Sequence, residues 1–225
     1  MINVTLKSGD VMTFENPTSV YDIAKTISEG LARAATCAEV NGQTVDLRTT
    51  VTTDCTLNIL TFTSDEGAAA YRHTTSHILA QAVKRLFPET KLAIGPAIDN
   101  GFYYDFDADK AFTPEDLENI EKEMAKIIKE NLAIERFELS RAEALKLMED
   151  LGEPYKVELI QDLPEDATIS FYKQGDFTDL CAGPHLMTTG GVKAVKLTSV
   201  AGAYWRGNEN NKMLQRVYGN HTVRS

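Results

Sequence analysis

The sequence predicts an α+β fold in two parts, a small domain over residues 1–62 and a larger one over residues 63–225. Three features carry that expectation. Short strands flank one capped helix in the first sixty residues. A polar, turn-prone stretch, Ser64-Asp65-Glu66-Gly67, then marks a boundary. Beyond it, capped amphipathic helices are mixed with strands and a hairpin turn.

In the small domain, Asn3–Leu6 and Val11–Phe14 read as strands joined by the Ser8-Gly9-Asp10 turn. Ser19 is an N-cap candidate for a helix starting at Val20, and Gly30 is placed to end it. Thr36–Val40 and Leu57–Phe62 read as further strands, with Asn41-Gly42 a tight turn before Val45. Two strands, a helix and more strands suggest a ubiquitin-like β-grasp. Cys37 and Cys55 read as small core residues rather than reactive thiols.

The larger domain opens with an apolar-periodic helix, Tyr71–Phe87. Lys91–Ile98 is apolar around Gly95-Pro96, and Asn100-Gly101 turns the chain into Phe102–Phe106. Thr113-Pro114-Glu115-Asp116 is a helix start, followed by the stripe Leu117, Ile120, Met124, Ile127 and Ile128. After a strand at Ala133–Leu139, Ser140-Arg141-Ala142-Glu143 forms a capping box for a helix that Gly152 closes. Tyr155–Ile160, Thr168–Tyr172, Lys193–Ser199 and Lys212–Tyr218 read as strands.

Of 225 residues, 43% are apolar and 25% charged, an ordinary globular balance. No apolar run could cross a bilayer, so no membrane association is expected. Met1–Lys7 lacks a basic segment leading into an apolar one, so no secretory signal is expected. Three cysteines are too few and scattered for a disulfide framework, which points to a reducing cytoplasm. The net charge of −10 argues against general nucleic-acid binding. Residues 193–225, however, hold six Lys/Arg and one acid, a net +5, against −15 for the rest. Lys193, Lys196, Arg206, Lys212 and Arg216 are therefore candidates for contacting a phosphate backbone, though a solvated basic surface accounts for the charge equally well.

Chemistry concentrates in two short motifs, His73-Thr74-Thr75-Ser76-His77 and Cys181-Ala182-Gly183-Pro184-His185. Residues four apart on a helix share a face, so both imidazoles of the first motif point the same way. The second motif, broken by Gly and Pro, reads as a loop. The four side chains have the types and spacing of a tetrahedral zinc site, and equally of a hydrolytic pocket. His221 lies outside both motifs and reads as a surface residue.

Arg72-His73-x-x-x-His77, Ile94 through Asp105, Tyr155-Lys156-Val157, Asp179-Leu180-Cys181-x-Gly183-Pro184-His185 and Ala201-Gly202-Ala203-Tyr204-Trp205-Arg206-Gly207 occur in that order. This ordered set resembles the editing domain of bacterial threonyl-tRNA synthetases. The first sixty residues resemble the small β-grasp (TGS) domain that precedes it. Ala182 stands where many members carry Arg. The related alanyl editing domains share His-x-x-x-His and Cys-x-x-x-His, but the β-grasp and the Tyr155-Lys156 segment favour the threonyl type. The resemblance implies hydrolysis of mischarged seryl-tRNA(Thr), with the serine-bearing acceptor end as partner. It further implies a longer protein with a class II catalytic core and an anticodon-binding domain, whose residues this chain lacks; the chain should not charge tRNA.

By the same resemblance Lys156 holds and activates water; an imidazole titrates near neutrality, which makes His73 the acid–base candidate, and Asp179 is a candidate to pair with the substrate ammonium, or else a turn cap. His77, Gly95, Pro96, Tyr104, Cys181 and His185 would line the substrate site, with Cys181 a wall rather than a nucleophile. The family's reaction is metal-independent, so no cofactor is expected; were zinc present, His73, His77, Cys181 and His185 would be its ligands. Two other readings remain, a tRNA-binding module without catalysis and a zinc-dependent hydrolase.

Overall fold

The computed structural model describes residues 1–221. Its first domain is a five-stranded sheet in the spatial order Val11–Phe14, Ile2–Leu6, Cys55–Thr61, Ala35–Val40, Gln43–Val45. Ile2–Leu6 runs parallel to Cys55–Thr61, and the remaining pairs are antiparallel. The helix Val20–Ile27 starts where Ser19 accepts from the Asp22 N–H, and it buries Val20, Ile23 and Ala24. Val20 and Ile23 pack on Ile2, Val4, Ala38, Leu47 and Leu57, giving the β-grasp its core. Cys37 and Cys55 are buried free thiols, and burial pushes the Cys37 thiol up to about 11.

Gly30 does not end that helix. The helix stops at Ile27, and Ser28 restarts the chain by accepting from the Leu31 N–H, so Gly30 lies inside a second short helix, Glu29–Ala34. A hydroxyl that satisfies the next helix's free N–H groups outweighs the weak helix propensity of one glycine.

The histidine-bearing helix is longer than its apolar period suggested, spanning Asp65–Leu86. Ser64 caps it by accepting from the Gly67 N–H, so the polar stretch expected as a turn is its cap and first turn. Gly67 is needed there, since a Cβ would lie 1.8 Å from the Thr61 carbonyl oxygen. Ala70 of this helix packs with Cys37 and Leu60 of the first domain, so the two domains share buried surface.

The second domain has two sheets. One orders Lys196–Tyr204, Met213–Asn220, Gly101–Asp107 and Lys91–Leu92, with Ala97–Ile98 also paired to Gly101–Asp107. The helices Asp65–Leu86 and Pro114–Glu130 cover it, burying Ile78, Leu79, Val83, Ile120, Met124 and Ile127 against Phe102, Tyr104, Phe106 and Val217. The second helix begins with a complete capping box between Thr113 and Asp116 and with Pro114 in its first turn. The other sheet comprises Ile134–Glu138, Ser170–Gln174 and Phe177–Leu180. Arg141–Asp150 and Pro154–Gln161 pack against it through Ala144, Met148, Ile160 and Phe171. Among the described residues no helix is long and apolar enough to cross a membrane.

Three expectations are corrected. Tyr155–Ile160, read as a strand, lies in the helix Pro154–Gln161. Tyr155, Val157 and Leu159 alternate with polar residues, which mimics a strand, but Pro154 pre-sets the first helical turn and the i,i+4 pair Lys156 and Ile160 is the buried face. Phe177–Leu180 forms a strand the sequence did not signal, and Asp179 sits on it. His221 is half-buried rather than on the surface. It packs edge-on to Tyr71 at 4.6 Å between ring centroids and its Nδ1 meets the Ala194 carbonyl at 2.8 Å.

Candidate active site

The helix Asp65–Leu86 presents His73 and His77 one turn apart, with their Nε2 atoms 3.3 Å from each other. The strand Phe177–Leu180 leads directly into the second motif. Its Cys181 Sγ lies 3.4 Å from His73 Nε2 and 3.1 Å from His185 Nε2. The four donor atoms all fall within 4.8 Å of one another. His77, Cys181 and His185 are buried and His73 is half-buried, so His73 marks the approach from solvent.

Backbone and side-chain contacts hold the loop in this shape. Ser170 Oγ donates to the Cys181 carbonyl at 2.5 Å, and the Gly183 N–H donates to Cys181 Sγ at 3.2 Å. The Leu186 N–H donates to Thr74 Oγ1 at 3.0 Å, tying the loop to the helix beside His73. The Tyr172 ring stacks on His185 at 4.1 Å with a 24° tilt. Gly183, at φ +75°, leaves room for that tyrosine; a Cβ would lie 2.1 Å from its hydroxyl. Tyr172, Ser170 and Thr74 escaped the sequence reading because nothing local distinguishes them from ordinary strand and helix residues.

Behind the imidazoles lies a charge relay centred on Asp179, which is 1% exposed. Its carboxylate meets Lys156 Nζ at 3.0 Å and His77 Nδ1 at 3.0 Å, and accepts from the Tyr104 hydroxyl at 2.7 Å. The helix Pro154–Gln161 brings Lys156 there, with its ammonium 5.3 Å from the Tyr104 ring centre. Asp179 therefore does not stand open to a substrate ammonium: three of about four acceptor positions on a carboxylate are filled, and the group is sealed from solvent.

Charge in the cluster follows from these contacts. Burial opposes ionisation of Asp179, but Lys156 and His77 outweigh it and hold the carboxyl well below its usual range. Burial likewise disfavours a charged His77, yet Asp179 and Cys181 push it up to about 9. The Cys181 thiol, raised by burial alone, is brought well below its ordinary value by His185, His73 and His77. Burial lowers His185 to about 4, against the pull of Cys181. Tyr104, wholly buried beside Asp179, stays a neutral donor.

Gly95 packs under Tyr104, where a Cβ would lie 2.1 Å from the ring, and its carbonyl accepts from Ser76 Oγ at 2.7 Å. Gly95 thus lines the relay through Tyr104, with half-buried Pro96 next to it. The expected tRNA contacts lie outside this cluster. Arg216 is bidentate to Asp105 and stacks on Tyr103 at 4.0 Å. Lys212 pairs with Asp107 at 2.7 Å, Lys196 with Glu121 at 3.6 Å, and Arg206 with Glu158 and Asp162. Lys193 reaches only the Gly190 carbonyl, at 3.5 Å. Four of these five side chains thus have a carboxylate partner in the same domain.

The donor set also fits a metal. Nitrogen and sulfur ligands about 2.0–2.3 Å from a tetrahedral zinc lie roughly 3.3–3.6 Å from each other. Three of the six donor pairs, at 3.1–3.4 Å, are close to that spacing, and the six together are bounded at 4.8 Å, wider than a tetrahedral edge. Asp179 on His77 Nδ1 supplies the outer carboxylate that such a ligand commonly has.

The chain thus joins a β-grasp to an α+β domain that holds a buried His/Cys cluster beside a Lys–Asp pair. Residues 2–61 match the TGS domain, and residues 169–218 match the threonyl and alanyl tRNA synthetase second additional domain. Over 97% of its length the chain is 66% identical to the threonine–tRNA ligase of Acetivibrio thermocellus and 67% identical to that of Clostridium tetani. The enzyme of Clostridioides difficile is 66% identical over the same share. The chain is thus similar over nearly its whole length to threonine–tRNA ligases, and it spans 34% of the length of these curated relatives.

Proposed function

We propose that this chain hydrolyses the ester of seryl-tRNA(Thr), with the His73–His77–Cys181–His185 cluster and the Lys156–Asp179 pair as its active site. The observation that carries the reading is the buried Lys156–Asp179–His77 relay, whose His77 Nε2 lies 3.3 Å from Nε2 of the half-buried His73. The partner is the serine-bearing acceptor end of tRNA(Thr), and the setting is the cytoplasm.

The chemical need is specific. Serine differs from threonine by a methyl group, and a missing methyl yields only about 1–3 kcal/mol of discrimination in a synthetic site. A second site that clashes with the methyl supplies the remainder. Water attacks the ester carbonyl, a proton leaves the water, and charge develops on the carbonyl oxygen. Lys156, 3.0 Å from Asp179, orients the water or stabilises that oxyanion. His73, facing solvent, is placed to take the proton and return it to the leaving ribose oxygen. Asp179 fixes Lys156 and His77 rather than gripping substrate. Gly95, Pro96 and Cys181 wall the space for the side chain.

No metal is needed for this route. The convergence of four donors nevertheless favours a second reading, a zinc-dependent hydrolase, in which His73, His77, Cys181 and His185 hold zinc and the ion acidifies water. The test uses purified chain with Ser-tRNA(Thr) and Thr-tRNA(Thr), without ATP, before and after chelation. Hydrolysis of the seryl ester, sparing of the threonyl ester and indifference to chelator are expected. Equal rates on both esters reject the steric sieve, activity lost on chelation and restored by zinc selects the metal reading, and tRNA binding without hydrolysis leaves a binding module.

A further inference from the structure

The β-grasp domain reaches into the site through one short segment, Asp46-Leu47-Arg48. Leu47 is fully buried in the core of its own domain, and its carbonyl accepts from the Tyr21 N–H at 2.9 Å, so the segment is anchored there. The two flanking side chains leave that anchor and enter the other domain. Asp46 Oδ2 accepts from the Tyr172 hydroxyl at 2.7 Å and from the His185 N–H at 3.1 Å. Arg48 Nη1 donates to the His185 carbonyl at 3.1 Å, Nη2 to the Leu186 carbonyl at 2.6 Å, and Nε to the Ile134 carbonyl at 3.0 Å. The two residues also pair with each other at 2.8 Å.

We propose that Asp46 and Arg48 are positioning residues of the hydrolytic site, so that the β-grasp domain completes the geometry of the Cys181–His185 loop. The inference rests on the hydrolytic reading above. Both backbone polar groups of His185 are held by this one segment, which leaves the loop little freedom to shift His185 or, four residues away, Cys181. The side chain is held as well, because the Tyr172 ring that stacks on the imidazole has its hydroxyl tethered by Asp46. Arg48 lies 5.6 Å from the centre of the same ring. A five-donor planar fork suits three converging carbonyls in a way an ammonium does not. Simple adhesion between domains would not require one segment to hold both backbone groups of His185 and the ring stacked on it.

The experiment uses the whole 225-residue chain. Asp46→Ala, Asp46→Asn, Arg48→Lys and Tyr172→Phe are compared with the parent in two measurements. The first is single-turnover hydrolysis of Ser-tRNA(Thr) at saturating enzyme, with tRNA affinity measured separately. The second is the ring carbon–proton spectrum of the four histidines, with His221, which packs on Phe62, Tyr71 and Phe102, as internal reference. Displacement of catalytic groups by about an ångström costs on the order of 10²-fold. Arg48→Lys and Asp46→Ala should therefore lose roughly 10- to 100-fold in single-turnover rate with tRNA affinity unchanged, and Asp46→Asn, which keeps an acceptor, should lose less. The His185 resonances should move while those of His221 stay. Should Asp46→Ala fail to fold, Arg48→Lys and Asp46→Asn carry the comparison. Folded variants with parental rates and unmoved His185 resonances would reduce the segment to domain adhesion and overturn the proposal. A parent chain inactive on the ester would instead sink the hydrolytic reading, and the His185 resonances would still decide whether the segment positions the loop.

Discussion

Replacing Lys156 by Met removes one charge from the relay while nearly preserving the volume of the side chain. Lys156 is 3% exposed and its nitrogen lies 3.0 Å from Asp179. Removing one member of a buried ion pair typically costs 3–5 kcal/mol. Here Asp179 keeps His77 at 3.0 Å and the Tyr104 hydroxyl at 2.7 Å, so the carboxylate is not abandoned. The expected loss of stability is therefore at the low end, about 3 kcal/mol, read from urea unfolding. Activity should fall further than stability explains. Under conditions where the variant is folded, single-turnover hydrolysis of Ser-tRNA(Thr) should drop by about 10²–10⁴, with tRNA affinity close to that of the parent. Adding Asp179→Asn should separate the two effects. The double variant no longer buries an under-partnered carboxylate, so it should be more stable than Lys156→Met alone, yet no more active. Parental activity in Lys156→Met would refute the role given to the lysine, and strictly additive stability losses would refute the relay.

His73→Ala removes the half-buried imidazole at the approach to the site; a 10²–10⁴-fold loss in hydrolysis is expected, with thermal stability little changed because this side chain is not part of the sealed core. Gly95→Ala places a Cβ 2.1 Å from the Tyr104 ring, which is fully buried and cannot swing away. Overpacking of this kind costs about 1–3 kcal/mol, and the displaced Tyr104 hydroxyl should weaken the relay, so both melting temperature and hydrolysis should fall. The Asp46 carboxyl is partly buried, which raises its pKa, but Arg48 and the hydrogen bonds from Arg48, Tyr172 and His185 bring it below the usual value. A depressed carboxyl stabilises fully above the unfolded pKa of about 3.9 and loses that contribution as pH falls through the folded value. The stability gap between parent and Asp46→Asn should thus be constant from about pH 7 to pH 5 and shrink below about pH 4; a gap that widens in acid would contradict the assignment.

Much of the fold was legible because it is written in local rules. The caps at Ser19, Thr113 and Ser140 behave as their sequences suggest, and Asn41-Gly42 and Asn100-Gly101 turn where expected, with Asn41, Gly42 and Asn100 at positive φ. These depend on sterics and hydrogen bonds within a few residues. The His73–His77 pair was legible for the same reason, since helical spacing alone puts both rings on one face. Segments of eight residues or fewer were less secure. Helix and strand periods cannot be told apart over Tyr155–Ile160, where only packing shows which face is inside.

What the sequence by itself determined was the inventory: two domains, the order of most elements, and the side chains available for chemistry. Tertiary structure decided how that inventory is used. Asp179 belongs to Lys156, His77 and Tyr104 because a strand, two helices and a second sheet meet around it. Arg216, counted among the bases of the C-terminal segment, pairs with Asp105, 111 residues away in sequence. Asp46 reaches His185 across 139 residues and a domain boundary. Such partners are selected by the packing of whole layers, in which burial forces each charge and each backbone group to find a complement within about 3 Å, and sequence separation carries no trace of that choice.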